Sequence, residues 1–265
     1  MKKILLSAGT LILLAACNGE DTLETNVDVS PVSEVRERME ADWDSGLFEE
    51  KVFDYESTFS AADYEGQIEG NVLYDYQKGE EASTVLITAP HTVTQMTNEE
   101  TRPAQIYTGA LIQLLHDYTG AHVLYTIQSS ADPAFYEGAP IKEEMRVLAE
   151  EEEFELVIDL HGAAESRNFH VHIATGEEEY ISPLEAETLA AYLYQNDIGR
   201  VVKDETVPLD YSRTLAEFAS SELSIEALQL EIHADYRNPR EDLESMYVIT
   251  RALSEYIFEA DRLRR

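Results

Sequence analysis

The chain is short of basic charge, and this shortage excludes some classes of function. Its 265 residues include 19 lysines and arginines against 53 aspartates and glutamates, a formal net charge of -34. Such a chain repels nucleic acid and anionic membrane faces, so we expect no binding to DNA or RNA. Hydrophobic residues make up 44% of the sequence, which is enough for a core. We therefore interpret the acidic residues as a solvated surface and not as a sign of disorder.

Cysteine and the common catalytic motifs are also scarce. Cys17 is the only cysteine, so the mature domain has no internal disulfide and no cysteine-based metal site. The sequence contains no HExxH motif, no GxSxG motif and no glycine-rich phosphate loop. Any catalytic chemistry must therefore come from residues that are separated along the chain.

The N-terminus has the pattern of an export signal. Met1–Lys3 is basic, Ile4–Leu14 is apolar but too short to span a membrane, and small residues precede Cys17. This pattern resembles the lipobox of bacterial lipoproteins, although an unprocessed apolar segment is the alternative. We predict that residues 1–16 are removed, that Cys17 is lipidated, and that the exported protein contacts the outer face of a bacterial membrane only through this anchor.

The remaining chain divides into a tether and one domain. Residues 17–46 are acidic and polar, which predicts a tether with a short helix around Ser33–Trp43. Residues 47–265 have the length of a single catalytic domain. Alternating patterns predict strands at 71–77, 84–90, 121–127, 155–162, 169–173, 200–203 and 227–233, and helices at 102–118, 140–153, 182–195, 211–220 and 240–263. The pattern of 51–67 is ambiguous, with aromatic residues spaced as in strands.

This alternation of strands and helices predicts an α/β fold. We expect a three-layer sandwich with a mainly parallel or mixed central sheet, similar to phosphorylase/hydrolase-like folds. The stretch 155–162 is the centre of this prediction, because its apolar run is typical of a strand buried on both faces. Asp159 and His161 are two residues apart, so both project from one face near the strand's carboxyl end. Ligands bind outside such ends, although a core histidine with a carboxylate partner is the alternative.

Two further strand ends carry polar groups. His91 follows one predicted strand, and Glu231 lies near the end of another. A hydrolytic metal site needs imidazole or carboxylate ligands, a position for water, and a carboxylate that moves the water's proton. His91 and His161 could be the ligands and Glu231 the general base. His172 and, with less support, His170 could line the site, His233 shares the face of Glu231, and Asp132 could orient the site.

Four segments carry a resemblance to a known family: Ala89–Val93, Arg102–Gly109, Val157–Gly162 and Leu228–Arg237. In this order they resemble the N-formylglutamate amidohydrolase family, which is related in fold to zinc carboxypeptidases and aspartoacylase. The resemblance implies zinc or a similar divalent cation bound by His91 and His161, and water activated by Glu231. It also implies a small-molecule substrate, an N-acyl amino acid or a short peptide, whose amide bond is hydrolysed.

One position departs from that family. Gln105 stands where family members usually have an acidic residue, so the third metal ligand is open; Glu99 or Glu100 could replace it. Lost activity is the alternative, and the chain would then be a surface-anchored ligand-binding lipoprotein with a degenerate hydrolase site.

Arginines are scarce in this chain, and three of them lie beside the motifs: Arg102, Arg167 and Arg237. A substrate carboxylate needs a bidentate partner of this kind. We expect them to bind substrate, and ordinary ion pairs with the many acids are the alternative.

Overall fold

A mixed seven-stranded sheet with helices on both faces forms the domain, as predicted. The computed structural model describes residues 22–66, 72–97, 100–204 and 214–265. The predicted signal peptide, Cys17 and Glu99 lie outside these residues. A second, smaller sheet has three strands.

The strands and helices have the following bounds. The strands are β1 (Tyr74–Gln77), β2 (Val85–Ala89), β3 (Gln95–Met96), β4 (Thr101–Arg102), β5 (His122–Thr126), β6 (Ser130–Ala131), β7 (Leu156–Gly162), β8 (Val171–Ala174), β9 (Val201–Lys203) and β10 (Glu226–Ile232). The helices are α1 (Ser33–Ser45), α2 (Leu47–Ser60), α3 (Thr108–Thr119), α4 (Pro140–Glu151), α5 (Pro183–Gln195), α6 (Leu215–Leu223) and α7 (Leu243–Arg264). The strand order in the large sheet is β1-β5-β2-β7-β10-β8-β9, and in the small sheet it is β4-β3-β6. In the described part of the chain, no helix is both long enough and apolar enough to cross a membrane.

The strand β7 is central to the large sheet and is buried on both faces. It pairs in parallel with β2 on one side and with β10 on the other. Leu156, Ile158 and Leu160 pack into the core formed with α1, α2, α3, α5 and α7. Val157 points to the opposite core, which contains residues of α4 and α6. The apolar run is therefore a core strand with two covered faces, and its interrupting polar residues lie on the α4/α6 face.

Two helix boundaries differ from the prediction. The helix expected from Arg102 begins at Thr108, because residues 103–107 form a loop in which Tyr107 has a left-handed backbone with φ of 68°. The ambiguous segment 51–67 lies largely in helix α2, where Val52 and Phe59 face the core. The spacing of the aromatic residues favours a strand over a helix in this segment. The structure is helical because burial of one helix face, and not the alternation of residue types, determines the conformation.

The segment predicted as a tether is packed onto the domain where it is described. Helix α1 forms as expected, and its Val35 and Met39 are fully buried. Before α1, Thr22 forms an antiparallel bridge with Val202, and the Leu23 N–H donates to the Val201 carbonyl at 2.8 Å. The chain from residue 22 onward is thus part of the folded domain, because its apolar side chains and backbone groups find partners there.

Candidate active site

A row of polar side chains crosses three strands on the α4/α6 face of the sheet. Glu231 on β10 is in register with His161 on the parallel strand β7 and with His172 on the antiparallel strand β8. Register partners point to the same face, and neighbouring strands are about 5 Å apart. The alternation of β7 and β10 therefore places an acid between two imidazoles.

The small sheet brings the second histidine to this row. Strand β3 pairs in parallel with β6, and the Asp132 N–H donates to the Met96 carbonyl at 3.0 Å. This pairing fixes Asp132 beside His91, which follows β2. The rings of His91 and His161 then stand edge to face, with their centroids 4.8 Å apart. Two histidines from separate strand ends thus meet, as predicted.

A buried carboxylate holds each of these two rings. His91 Nε2 lies 3.2 Å from Asp132 Oδ1 in a hydrogen bond. His161 Nε2 lies 3.1 Å from Asp159 Oδ2 in an ion pair. Asp132 and Asp159 are both completely buried. Each Nε2 therefore faces an acid, and Nδ1 of each ring remains for another ligand.

The charges of these pairs shift the pKa values of their members. Burial alone would lower the pKa of His161, but its contact with Asp159 and the charges of Glu231 and Asp132 together outweigh burial and raise the pKa to about 9. Burial would raise the pKa of both carboxyl groups, but the neighbouring imidazoles lower the pKa of Asp132 and of Asp159 below the usual range. Both acids are therefore ionised at neutral pH. Their negative charge favours a positive charge beside them, either a protonated imidazole or a cation bound by that imidazole.

Asp159 also connects the site to the start of helix α6. Its Oδ1 accepts a hydrogen bond from the Thr88 hydroxyl at 2.9 Å, and its Oδ2 accepts one from the Leu215 N–H at 3.1 Å. The positive end of α6 thus points at this buried carboxylate. This arrangement explains how a strand that is otherwise apolar tolerates a buried acid, because each oxygen has a donor.

A small cavity of about 250 Å³ joins the catalytic candidates. Its wall includes His91, Gln105, His161 and Glu231. The Gln229 amide donates to Glu231 Oε1 at 3.0 Å and so orients that carboxylate. Glu231 is half-buried and can still exchange a proton with a molecule in the cavity.

His91 and His161 are the groups at this site that could hold a divalent cation. Each of the two imidazoles faces a carboxylate at Nε2, the arrangement that orients histidine ligands in metal sites. Gln105 is close by, and its Oε1 accepts a hydrogen bond from the Gly162 N–H at 2.9 Å. Glu100 is exposed and lines neither of the two cavities at the site. Within the described residues, no group of three histidine, cysteine or acidic side chains could hold a metal, and Gln105 is the uncharged candidate for a third protein ligand.

The three predicted substrate-binding arginines have different surroundings. Arg167 is exposed and lines the small cavity, and Arg102 lines both cavities with its guanidinium 4.3 Å from the Phe135 ring centroid. Arg237 is buried, and its Nε and Nη2 donate to the Ile232 and Ala163 carbonyls at 2.9 and 2.8 Å. Its Nη1 donates to the Ile106 carbonyl.

These contacts favour a structural role for Arg237 over the predicted contact with substrate. One guanidinium joins three backbone segments around the site, and Gly162 packs directly on it, because a Cβ at that position would overlap the guanidinium carbon. The role of Arg102 and Arg167 in substrate binding stays a prediction.

The other histidines lie at the margin of the site. His170 contacts the Tyr236 hydroxyl at 3.2 Å, and His233 Nε2 contacts the Glu165 carbonyl at 3.2 Å. His172 is 2% exposed, and neither of its ring nitrogens has a hydrogen-bond partner among the described residues. Burial lowers its pKa, so it is a neutral neighbour of Glu231.

A second, larger cavity was not anticipated from the sequence. It has a volume of about 1040 Å³ and shares His91, Arg102 and Gln105 with the small one. Its wall also includes Tyr64, Tyr107 and Arg240. The sequence pattern predicts Arg240 only as the first residue of the closing helix, and it assigns no role to either tyrosine.

Comparison with known proteins supports the fold. No protein-family model matches this sequence, and no curated protein sequence does either. The structure of gene product Atu2144 from Agrobacterium tumefaciens matches with a TM-score of 0.51 and 14% identity, over 73% of this chain and 96% of that one. N-formylglutamate amidohydrolase from Ralstonia eutropha JMP134 matches with a TM-score of 0.50 and 11% identity, over 72% of this chain and 97% of that one. The expected likeness in fold is thereby confirmed.

Proposed function

We propose that this chain is a metal-dependent hydrolase that cleaves the amide bond of an N-acyl amino acid or a short peptide. One observation carries the proposal: Glu231 lies in register with His161, and both line one cavity with His91. An acid beside two imidazoles that share a cavity suits proton transfer next to a bound cation. The fold shared with N-formylglutamate amidohydrolase supports the same class of reaction.

His91 and His161 would hold the divalent cation, zinc or a similar ion, through Nδ1. When bound, such an ion supplies an activated water and polarises a carbonyl group. Asp132 and Asp159 keep the two imidazoles in position and balance their charge. Glu231 takes a proton from water at its carboxylate, in the orientation that Gln229 gives it, and later donates this proton to the leaving amine. Arg102 and Arg167 bind the carboxylate of the substrate.

Replacing Glu231 tests this proposal. In Glu231→Gln, kcat for the hydrolysis of N-acyl glutamates should fall at least about 100-fold, since the amide cannot accept the proton. The dissociation constant of the same ligands should stay nearly unchanged, because the two side chains have the same shape. Steady-state kinetics and isothermal titration calorimetry measure these two quantities.

Glu226→Gln is the matched control, because Glu226 is an exposed acid at the other end of the same strand. This variant should keep the wild-type kcat. Absence of amide hydrolysis by the metal-supplemented wild-type protein, or an equal kcat in Glu231→Gln, would contradict the proposal.

A further inference from the structure

The larger cavity is bigger than the proposed chemistry requires. Amide cleavage uses His91, His161 and Glu231, and these line the small cavity of about 250 Å³. The larger cavity, of about 1040 Å³, opens from the same wall at His91 and Gln105. A volume of this order holds a drug-sized molecule. It therefore has room for a substantial part of a substrate beyond the scissile bond.

The walls of the two cavities carry the opposite charge to the rest of the molecule. The described residues that line them include Arg102, Arg167, Arg237 and Arg240, but only Glu165 and Glu231 as acids. The whole chain has 53 acidic and 19 basic residues. A basic wall inside so acidic a chain concentrates anions there and offsets the repulsion of the net charge at close range.

Arg240 is the arginine of the larger cavity whose terminal nitrogens can bind a ligand. Its Nε donates to the Tyr107 hydroxyl at 2.7 Å, and its guanidinium carbon lies 5.2 Å from the centroid of the Phe53 ring. No other hydrogen bond or ion pair joins Arg240 to the described part of the chain, and its side chain is exposed. Its two terminal nitrogens thus form an oriented fork at the cavity wall, suited to a carboxylate.

The wall around Arg240 is fixed by a buried acid. Tyr64 and Tyr107 both have left-handed backbones, with φ of 62° and 68°, a conformation that is uncommon for bulky residues. Glu56 on α2 is 2% exposed and binds both: its Oε1 accepts from the Tyr64 hydroxyl at 2.5 Å and from the Tyr107 N–H at 3.1 Å. Strain that the surrounding structure maintains in this way is typical of ligand-binding walls.

We propose that the larger cavity is a second substrate subsite, in which Arg240 binds a carboxylate remote from the scissile amide. The inference rests on the proposed function and names its substrate class. The substrate carries one carboxylate on the side held by Arg102 and Arg167. It carries a second carboxylate on the other side of the amide, at the end of a spacer that packs against Pro103, Ile106 and Tyr107. An N-acyl amino acid with a dicarboxylic acyl group fits this description, and an N-formyl amino acid leaves the cavity unused.

Binding to a chain that cannot turn the ligand over tests the subsite. In a Glu231→Gln background, calorimetry would compare N-glutaryl-L-glutamate with N-(4-carbamoylbutanoyl)-L-glutamate, which differs only in a terminal amide for the terminal carboxylate. The carboxylate ligand should bind about 10- to 100-fold more tightly, the range for a hydrogen-bonded charge pair. Adding Arg240→Gln should remove this preference and leave the affinity of the amide ligand unchanged. Arg240→Lys should keep part of the preference.

Arg146→Gln is the matched control, since Arg146 lies over the Phe218 ring at 5.1 Å, on helix α4 and outside both cavities. It removes the same charge and should keep the preference. An unchanged preference in Arg240→Gln, an equal loss for both ligands, or no binding of either ligand would overturn the subsite. The proposed function fails by a different result, namely amide hydrolysis that survives Glu231→Gln.

Discussion

Gln105 shows how much a single side chain decides at this site. It lies beside the two histidines, and its Oε1 already accepts the Gly162 N–H at 2.9 Å. A glutamate in its place would keep this acceptor and add a negative charge next to the proposed cation. Arg237 holds the loop 103–107 through the Ile106 carbonyl, so we expect the backbone to keep its position when Gln105 is replaced by glutamate.

Gln105→Glu should therefore bind zinc at least about 10-fold more tightly than the wild-type chain, since a carboxylate ligand replaces an uncharged amide. Competition with a chromophoric chelator at fixed pH measures this affinity. Gln113→Glu adds the same charge on helix α3, away from both cavities, and should leave zinc affinity unchanged. Equal affinity in the wild-type and Gln105→Glu proteins would remove Gln105 from the proposed metal site.

At the residue scale, the sequence predicts well which polar residues end the strands, and it predicts poorly which groups contact the arginines around them. The sequence predicts that His91, His161 and Glu231 lie together, because parallel strands bring their carboxyl ends to one edge of the sheet. The partners of Arg237 could not be predicted, since they are backbone carbonyls with no sequence signature. Arg240 was missed for a related reason: the residues that orient it, Phe53 on helix α2 and Tyr107, are distant in sequence.

At the scale of elements, the pair of strands β1 and β5 has a feature that responds to pH. His122 on β5 is 1% exposed, and its Nδ1 lies 2.6 Å from the Tyr76 hydroxyl on β1. The centroids of the His122 and Phe154 rings are 5.1 Å apart. Burial lowers the pKa of His122, so the folded chain keeps this imidazole neutral. The unfolded chain binds the proton at the ordinary pKa of about 6.5.

The free energy of unfolding should therefore fall as pH decreases below about 6.5, because only the unfolded state takes up this proton. His122→Gln keeps an acceptor for Tyr76 but cannot titrate, so its stability should fall less over the same range. Urea unfolding at several pH values measures the difference between the two proteins. His170 and His172, with lowered pKa values, and His161, with a raised one, contribute equally to both proteins and cancel.

Tyr76→Phe is the control for this element. It removes the hydroxyl but keeps His122 buried, and burial is the main cause of the pKa shift. The pH dependence of this variant should resemble that of the wild-type chain. If His122→Gln and the wild-type chain lose stability in parallel, the buried histidine is not the source.

The elements themselves were predicted most accurately where local signals were strong. Ser182 caps helix α5 through the Glu185 N–H, and Gly120 ends α3 with φ of 72°, both as their residue types indicate. The predicted start of α3 was wrong and the segment of α2 was left ambiguous, because tertiary contacts override local pattern in both places. Pro103 resembles a first-turn proline, yet residues 103–107 are held as a loop by contacts with Gly162 and Arg237.

At the scale of the whole molecule, the location of the protein remains a proposal. We propose that the chain is exported and anchored by lipid at Cys17. Cys17→Ser would remove the acceptor thiol, so the protein should move from the membrane fraction to the soluble fraction or stay unprocessed. Fractionation followed by mass spectrometry of the N-terminus distinguishes these outcomes. A normally processed Cys17→Ser protein that stays in the membrane fraction would contradict the anchor.

The bridge between Thr22 and Val202 limits how such an anchored molecule could move. Thr22 is bound to the edge strand β9, so the chain from an anchor at Cys17 to this bridge could reach at most about 18 Å. The radius of gyration of a domain of this size is also about 18 Å. A linking segment that is no longer than the radius of gyration of its domain does not allow the domain to tumble freely. The domain would keep the β9 edge toward the bilayer and sample only a narrow cone of orientations, so its cavities would meet substrate from a nearly constant direction.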